Sequence, residues 1–250
     1  MNDYKRFEDL TFEDFRRMAV DGSLSRYEKI GFPNSYREGR EPGIWRDIVA
    51  KLPALLGQNK VVLDVGPGCS DLPSMLIDVC REQGHTLLLV DSAEMLDQLP
   101  NEPFIEKHSG FYPGCPDLLE RFRERVDVLL SYSVLHYVFT EGNIWSFLDS
   151  SLQLLNHGGE MLLGDVPNIS KRKRFFNAPA GVEYHRAFTG RSDDRPKVTF
   201  NEVQPGAIDD AVIFALLHRA RSAGFDSYVV PQGPDLPMAN RREDILIRRP

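Results

Sequence analysis

Residues 61–72 read Val61-Val62-Leu63-Asp64-Val65-Gly66-Pro67-Gly68-Cys69-Ser70-Asp71-Leu72. Val61–Leu63 have the pattern of a parallel strand buried on both faces, and Gly66 and Gly68 break it. Beyond Ser70, the residues Leu72, Met75, Leu76, Val79 and Cys80 recur at helical spacing. The stretch is therefore a strand, a tight glycine turn and a helix. Such a corner suits a nucleotide: glycine lets the backbone approach a ligand, and a helix N-terminus offers unpaired N–H groups. A dinucleotide fingerprint, G-x-G-x-x-G, needs a third glycine. Here Cys69, Ser70, Asp71 and Leu72 follow Gly68, so it is missing. Asp64, just before the turn, would repel a diphosphate and attract a ligand carrying an amine or a sulfonium.

The 250-residue length suits one α/β domain with additions. Its 30 Lys and Arg against 37 Asp and Glu give a net charge of −7, which disfavours nucleic acid as a partner. Cys69, Cys80 and Cys115 are odd in number and lack C-x-x-C spacing. They read as free thiols in a reducing cytosol, with neither a disulfide frame nor a zinc site. The first residues lack an apolar signal region, and no run approaches the length of a membrane span. The expectation is a soluble cytoplasmic protein with no membrane partner.

Residues 1–55 form a helical preface. Thr11 and Asp14 make a capping box for a helix bearing Phe12, Phe15, Met18 and Ala19. Ile30–Gly39 reads as a loop, and a second helix after Pro42 carries Ile44, Trp45, Ile48, Val49 and Leu52. After the glycine corner, Thr86–Val90 is a strand ending at Asp91, 27 positions beyond Asp64. A carboxylate there can accept two hydrogen bonds from ribose hydroxyls. Ser92 and Met95 begin the following helix, and Phe104–Lys107 is a third strand leading into the Ser109-Gly110-Phe111 loop. Val126–Ser131 is the fourth strand. Ile144, Phe147, Leu148, Leu152 and Leu155 mark a helix closed by the glycines of Asn156–Gly159, and Glu160–Asp165 is the fifth strand. Asn168–Gln204 is irregular and basic, with Lys171-Arg172-Lys173-Arg174. A helix over Ala207–Gly224 and strands at Ser227–Val230 and Asp244–Ile247 close the chain.

Three of these stretches resemble class I S-adenosylmethionine-dependent methyltransferases. V-V-L-D-V-G-P-G-C-S-D-L resembles their first motif, with Ser70 where a third glycine is usual. Ser131-Tyr132-Ser133-Val134-Leu135-His136-Tyr137 resembles the fourth. L-L-N-H-G-G-E-M-L-L-G-D resembles the helix, glycine turn and fifth strand. The resemblance covers residues 60–166 in order. It implies an α/β fold: a Rossmann-like, doubly wound, seven-stranded sheet with an antiparallel last strand. A helical cap over 1–55 would precede a methyltransferase-like domain over 56–250, with a lid inserted at about 168–206.

The resemblance also implies S-adenosyl-L-methionine as cofactor. Asp64, Gly66, Pro67, Gly68 and Ser70 would hold it at the glycine corner, and Asp91, Ser92 and Met95 beside the adenosine. Ser109 and Gly110 would lie near the adenine, and Ser131, Tyr132 and Ser133 near the transferable methyl group. Tyr36 and Arg37 would reach the methionine carboxylate or stay in solvent. His136 is the candidate base by position, with an ordinary pKa of about 6.5, and His185 the alternative. Tyr137, Arg172, Lys173 and His185 would meet the acceptor, a small molecule whose anionic group the basic run would grip. Asp165 alone does not make a metal site, so no metal is expected. The runs I-G-F-P-N-S-Y-R-E-G and G-D-V-P-N-x-S-K-R-K-R resemble bacterial methyltransferases of sugar and surface-polysaccharide genes. That resemblance suggests a sugar, sugar phosphate or nucleotide sugar as acceptor. Two other readings stand beside this one. An NAD(P)-dependent oxidoreductase would require the missing glycine and a catalytic constellation not found in the sequence. The other is a non-catalytic protein that keeps the fold as a scaffold.

Overall fold

The computed structural model describes residues 5–7 and 9–250. The apolar runs form one sheet of β1 (Val61–Val65), β2 (Thr86–Asp91), β3 (Ile105–Ser109), β4 (Val126–Tyr132), β5 (Leu155–Pro167), β6 (Asp226–Val230) and β7 (Arg242–Arg248). Its order is β3-β2-β1-β4-β5-β7-β6. β1 to β5 are parallel, and β7 inserts antiparallel between β5 and β6. This is the doubly wound Rossmann-like α/β sheet expected from the sequence. Its order reverses between β1 and β4, which opens a crevice at their carboxyl ends.

The connecting helices are α1 (Phe12–Val20), α2 (Arg26–Lys29), α3 (Asn34–Arg37), α4 (Glu41–Lys51), α5 (Asp71–Gln83), α6 (Ala93–Leu96), α7 (Pro116–Arg121), α8 (Leu135–Glu141), α9 (Ile144–Leu154), α10 (Ile169–Asn177), α11 (Pro179–Thr189) and α12 (Asp210–Ser222). None among the described residues is long and apolar enough to cross a membrane. Alternate strand residues serve two cores, because the sheet is covered on both faces. Leu63, Val65, Leu88, Leu129 and Leu163 share one with Phe147 and Leu148 of α9 and Leu216 of α12. Val62, Leu87, Leu89, Leu130 and Leu162 share the other with Ile44 and Ile48 of α4 and Leu76 of α5.

The preface is anchored to this frame. The Thr11–Asp14 capping box is present at the start of α1. Arg16 of α1 pairs with Glu94 of α6 at 2.7 Å, and the Phe12 N–H donates to Glu141 at the end of α8 at 3.0 Å. Ile30–Gly39, expected as a loop, contains the single-turn helix α3.

Two other expectations shift. Asn156–Gly159 does not cap α9 but belongs to β5. Gly158 N–H donates to the Arg249 carbonyl at 3.0 Å and Arg249 N–H to the Gly159 carbonyl at 2.9 Å, so Arg249 ties these residues into the start of β5, with Gly158 at a φ of +78°. Residues 168–206 hold two helices. Asn168 caps α10 by accepting from the N–H groups of Ser170 at 2.9 Å and Lys171 at 3.1 Å, and Pro179 opens α11.

Candidate active site

β1 ends in Gly66 and Gly68, whose φ angles are +74° and +65°. A Cβ at Gly66 would lie 2.5 Å from Cγ2 of Val134, and one at Gly68 would lie 2.6 Å from Cγ2 of Ile30. Backbone conformation and close approach both demand glycine at these two positions. Ser70 departs from the glycine pattern at no cost, since its φ is −80°. The buried Glu41 carboxylate accepts the Leu72 N–H at 2.7 Å, so the α5 N-terminus is capped from α4.

Asp91 faces this turn from the end of β2. Its Oδ2 accepts the Gly68 N–H at 3.1 Å and its Oδ1 the Ser92 N–H at 2.7 Å. Burial pushes the carboxyl up to about 6, against the two N–H groups that favour the ionised form.

Between the turn and β4 lies a cleft that opens to solvent, with about 920 Å³ of space counting its open mouth. Gly66, Pro67, Gly68 and Ser70 form its floor, Asp91, Met95 and Gly110 one side, and Tyr132 and Ser133 the other. The preface forms the roof through Phe12, Phe15, Ile30, Phe32 and Arg37. Phe12 meets Phe111 edge-on at 5.3 Å, and Phe15 meets Tyr137 at 4.9 Å. The roof residues Phe12 and Phe15 were visible in the sequence only as a helical stripe.

Four residues expected at the cofactor lie outside this lining. Asp64 is buried in the core shared with α5, because strand alternation turns it away from the cleft. Burial and the charge of Asp91 push its carboxyl up to about 8, which works against the negative charge that the sequence reading assigned it. Ser92 caps α6 by accepting the Met95 N–H at 3.2 Å. Ser131 donates to the Val65 carbonyl at 3.1 Å and ties β4 to β1. Ser109 is exposed at the end of β3.

Arg37 is 4% exposed, which excludes the solvent alternative for it, while Tyr36 lies outside the lining. Its guanidinium donates to Ser133 Oγ at 2.7 Å and stands 3.6 Å from Oδ2 of Asp165. Ser133 in turn donates to that oxygen at 2.5 Å, and Arg242 reaches it at 3.1 Å. Ser133 and Asp165 have φ of +62° and +57°, strained values for residues with a Cβ. The network continues through Gln232, which donates to Asp165 at 3.3 Å and Asp244 at 3.0 Å, and ends at Lys51, 2.7 Å from Asp244.

A second cleft, with about 1000 Å³ of empty space, lies on the other side of Tyr137, whose side chain lines both. His136, Thr140, Arg172, Arg241 and Arg242 face it, together with Phe7, Asp9 and Leu10. The His136 ring rests on that of Tyr137 with centroids 3.8 Å apart, and its buried Nδ1 has no hydrogen-bond partner. Burial and the nearby Arg242 lower its pKa to about 3, not the 6.5 expected of a free imidazole, so it is neutral but weakly basic. Of the residues expected at the acceptor, Tyr137 and Arg172 line this cleft. Lys173 and His185 do not. Lys173 donates to the Glu202 carbonyl at 3.2 Å, and His185 is 3.1 Å from Asp194.

No protein-family model matches the chain, and no curated protein matches it at a significant level. Solved structures do. N-methyltransferase NodS from Bradyrhizobium japonicum WM9, solved with S-adenosyl-l-homocysteine, gives a TM-score of 0.56 at 13% identity, over 97% of this chain and 100% of that one. A SAM-dependent methyltransferase from Aquifex aeolicus gives 0.53 at 14%, over 90% and 98%. The CurJ carbon methyltransferase gives 0.54 at 15%, over 94% of this chain and 63% of its own. The chain thus has the fold of these methyltransferases, a fold common to nitrogen and carbon methylation.

Proposed function

We propose that this chain is an S-adenosylmethionine-dependent methyltransferase acting at oxygen or nitrogen of a small molecule. The observation that carries the reading is the Asp91 carboxylate, fixed by the Gly68 and Ser92 N–H groups beside a cleft at the switch point of the sheet. The cleft fits the cofactor chemically. Asp91 would accept the ribose hydroxyls, Met95 and Phe111 would flank the adenine, and Arg37 would hold the methionine carboxylate. When bound, S-adenosylmethionine supplies a methyl group on a sulfonium, which a nucleophile displaces in line.

The rest of the work falls to the chain. Phe12, Phe15 and Phe32 exclude water from the cofactor cleft, and Tyr137 sets the distance between donor and acceptor. His136 lines the second cleft with a neutral imidazole packed on Tyr137, which would border the attacking group. Its low basicity suits orientation of a hydroxyl or amine more than abstraction of a proton beforehand. The sequence resemblance supports a sugar, sugar phosphate or nucleotide sugar as acceptor.

Calorimetric titration with S-adenosylhomocysteine, with NAD and NADP as controls, tests the reading. Micromolar binding of the homocysteine compound, lost in Asp91→Ala and absent for both dinucleotides, is expected. Preference for a dinucleotide would overturn it.

A further inference from the structure

We propose that the second cleft is the acceptor site and that it recognises an oxyanion, a carboxylate or a phosphate, with the guanidinium groups of Arg172 and Arg241. The inference rests on the methyltransferase reading for the word acceptor, but the anion site stands on its own geometry.

Charge distribution is the first support. Several surface arginines are paired with carboxylates: Arg81 with Glu102, Arg121 with Glu106, Arg174 with Asp210, Arg219 with Asp149 and Arg248 with Glu160. Arg172 and Arg241 line one cleft, and among the described residues neither has a carboxylate within ion-pair distance. The Arg241 guanidinium donates to the Asn240 side chain, at 3.3 Å. Each guanidinium lies over an aromatic ring, Arg172 over Phe176 at 5.2 Å and Arg241 over Tyr184 at 5.8 Å. The rings fix the two cations without neutralising them. Burial and the charge of Arg241 both act against the charged form of Arg172, a repulsion that an anion between them would relieve. Arg242, deeper in the cleft, is already matched by Asp165. Asp9 is the acidic residue among the lining side chains. The surplus is cationic.

Helix phase is the second support. The run Lys171-Arg172-Lys173-Arg174 does not act as a block, because successive residues of α10 point about 100° apart. Lys171 donates to the Arg242 carbonyl, Lys173 to the Glu202 carbonyl, and Arg174 pairs with Asp210. Arg172 is the member of the run that faces the cleft. A planar guanidinium fork matches carboxylate or phosphate oxygens in a way that a lysine does not.

Position is the third. Tyr137 lines both clefts, and His136 lines the second. A molecule anchored on Arg172 and Arg241 would lie beside His136 and present its nucleophile at the Tyr137 wall next to the cofactor.

The test titrates the full chain with phenyl phosphate, benzoate and neutral benzyl alcohol, at low salt, with and without S-adenosylhomocysteine. His136 imidazole NMR signals report occupancy of the cleft. At least one of the two anions should bind and shift those signals, benzyl alcohol should not, and Arg172→Gln/Arg241→Gln should weaken the anion at least tenfold. The tighter anion names the head group. An unchanged melting temperature shows that the double variant folds, and its unchanged affinity for S-adenosylhomocysteine shows that the first cleft is intact. Equal anion affinity in wild type and double variant, or no binding of either anion, would overturn the proposal. No binding of S-adenosylhomocysteine by the wild-type chain, with the anion response present, would instead sink the cofactor reading.

Discussion

The backbone N–H of Gly68 donates to Oδ2 of Asp91 at 3.1 Å, joining the ends of β1 and β2. The contact makes the glycine turn and the carboxylate one unit, and it sets the ionisation of Asp91 against burial. Because burial raises the folded pKa from 3.8 to about 6, the carboxylate becomes protonated within the range of ordinary assays. Ribose hydroxyls donate to the ionised form. Affinity for S-adenosylhomocysteine should therefore be flat above pH 7 and fall below pH 6, approaching tenfold per pH unit. Asp91→Asn should remove that dependence and cost about 1.5–3 kcal/mol of binding, roughly 10–100-fold. Calorimetry from pH 5 to pH 8 measures both.

Asp64 gives a different signature. Its folded pKa is raised from 3.8 to about 8, so its contribution to stability is complete below pH 4 and is lost as pH rises through 8. Asp64→Asn should flatten the decline in stability across that window and leave the affinity for S-adenosylhomocysteine unchanged. Urea unfolding at several pH values checks the first point, and the same calorimetry checks the second.

Gly68→Ala combines a left-handed backbone with a Cβ placed 2.6 Å from Ile30 Cγ2. The backbone conformation alone costs about 1–2 kcal/mol. Adding Ile30→Ala should recover the clash but not that remainder. Melting temperatures of the single and double variants separate the two parts.

Arg37→Met removes the hydrogen bond to Ser133 and one cation facing Asp165. Arg242 stays within 3.1 Å of Asp165, so the carboxylate is not left alone. The expected loss is about 2 kcal/mol, the scale of a hydrogen bond from a charged donor. A lower urea midpoint with an unchanged slope would show it. If Arg37 also holds the cofactor carboxylate, affinity for S-adenosylhomocysteine falls in the same variant.

The sheet was legible because strands covered on both faces are apolar throughout, as Val61–Leu63 and Leu87–Val90 are. That property also hid the direction of Asp64. A strand without polar alternation gives no sign of which face a single carboxylate occupies. Asn156–Gly159 looked like a helix end because its extended partner, Arg249, lies at the far end of the chain. Asp91 and the two glycines were readable from local order. Arg172 could not be separated from Lys173, since the rotational phase of α10 depends on what the helix packs against. The depressed basicity of His136 needed both its burial and the approach of Arg242, and neither is written near position 136.

The segment before β1 borders both clefts. Phe12, Phe15, Phe32 and Arg37 roof the first, and Phe7, Asp9 and Leu10 line the second. An outward swing of that segment would uncover the two together, whereas motion of α10 would uncover the second alone. If the first cleft takes the cofactor and the second the acceptor, as proposed, release from the first would then open the second as well, but not the reverse.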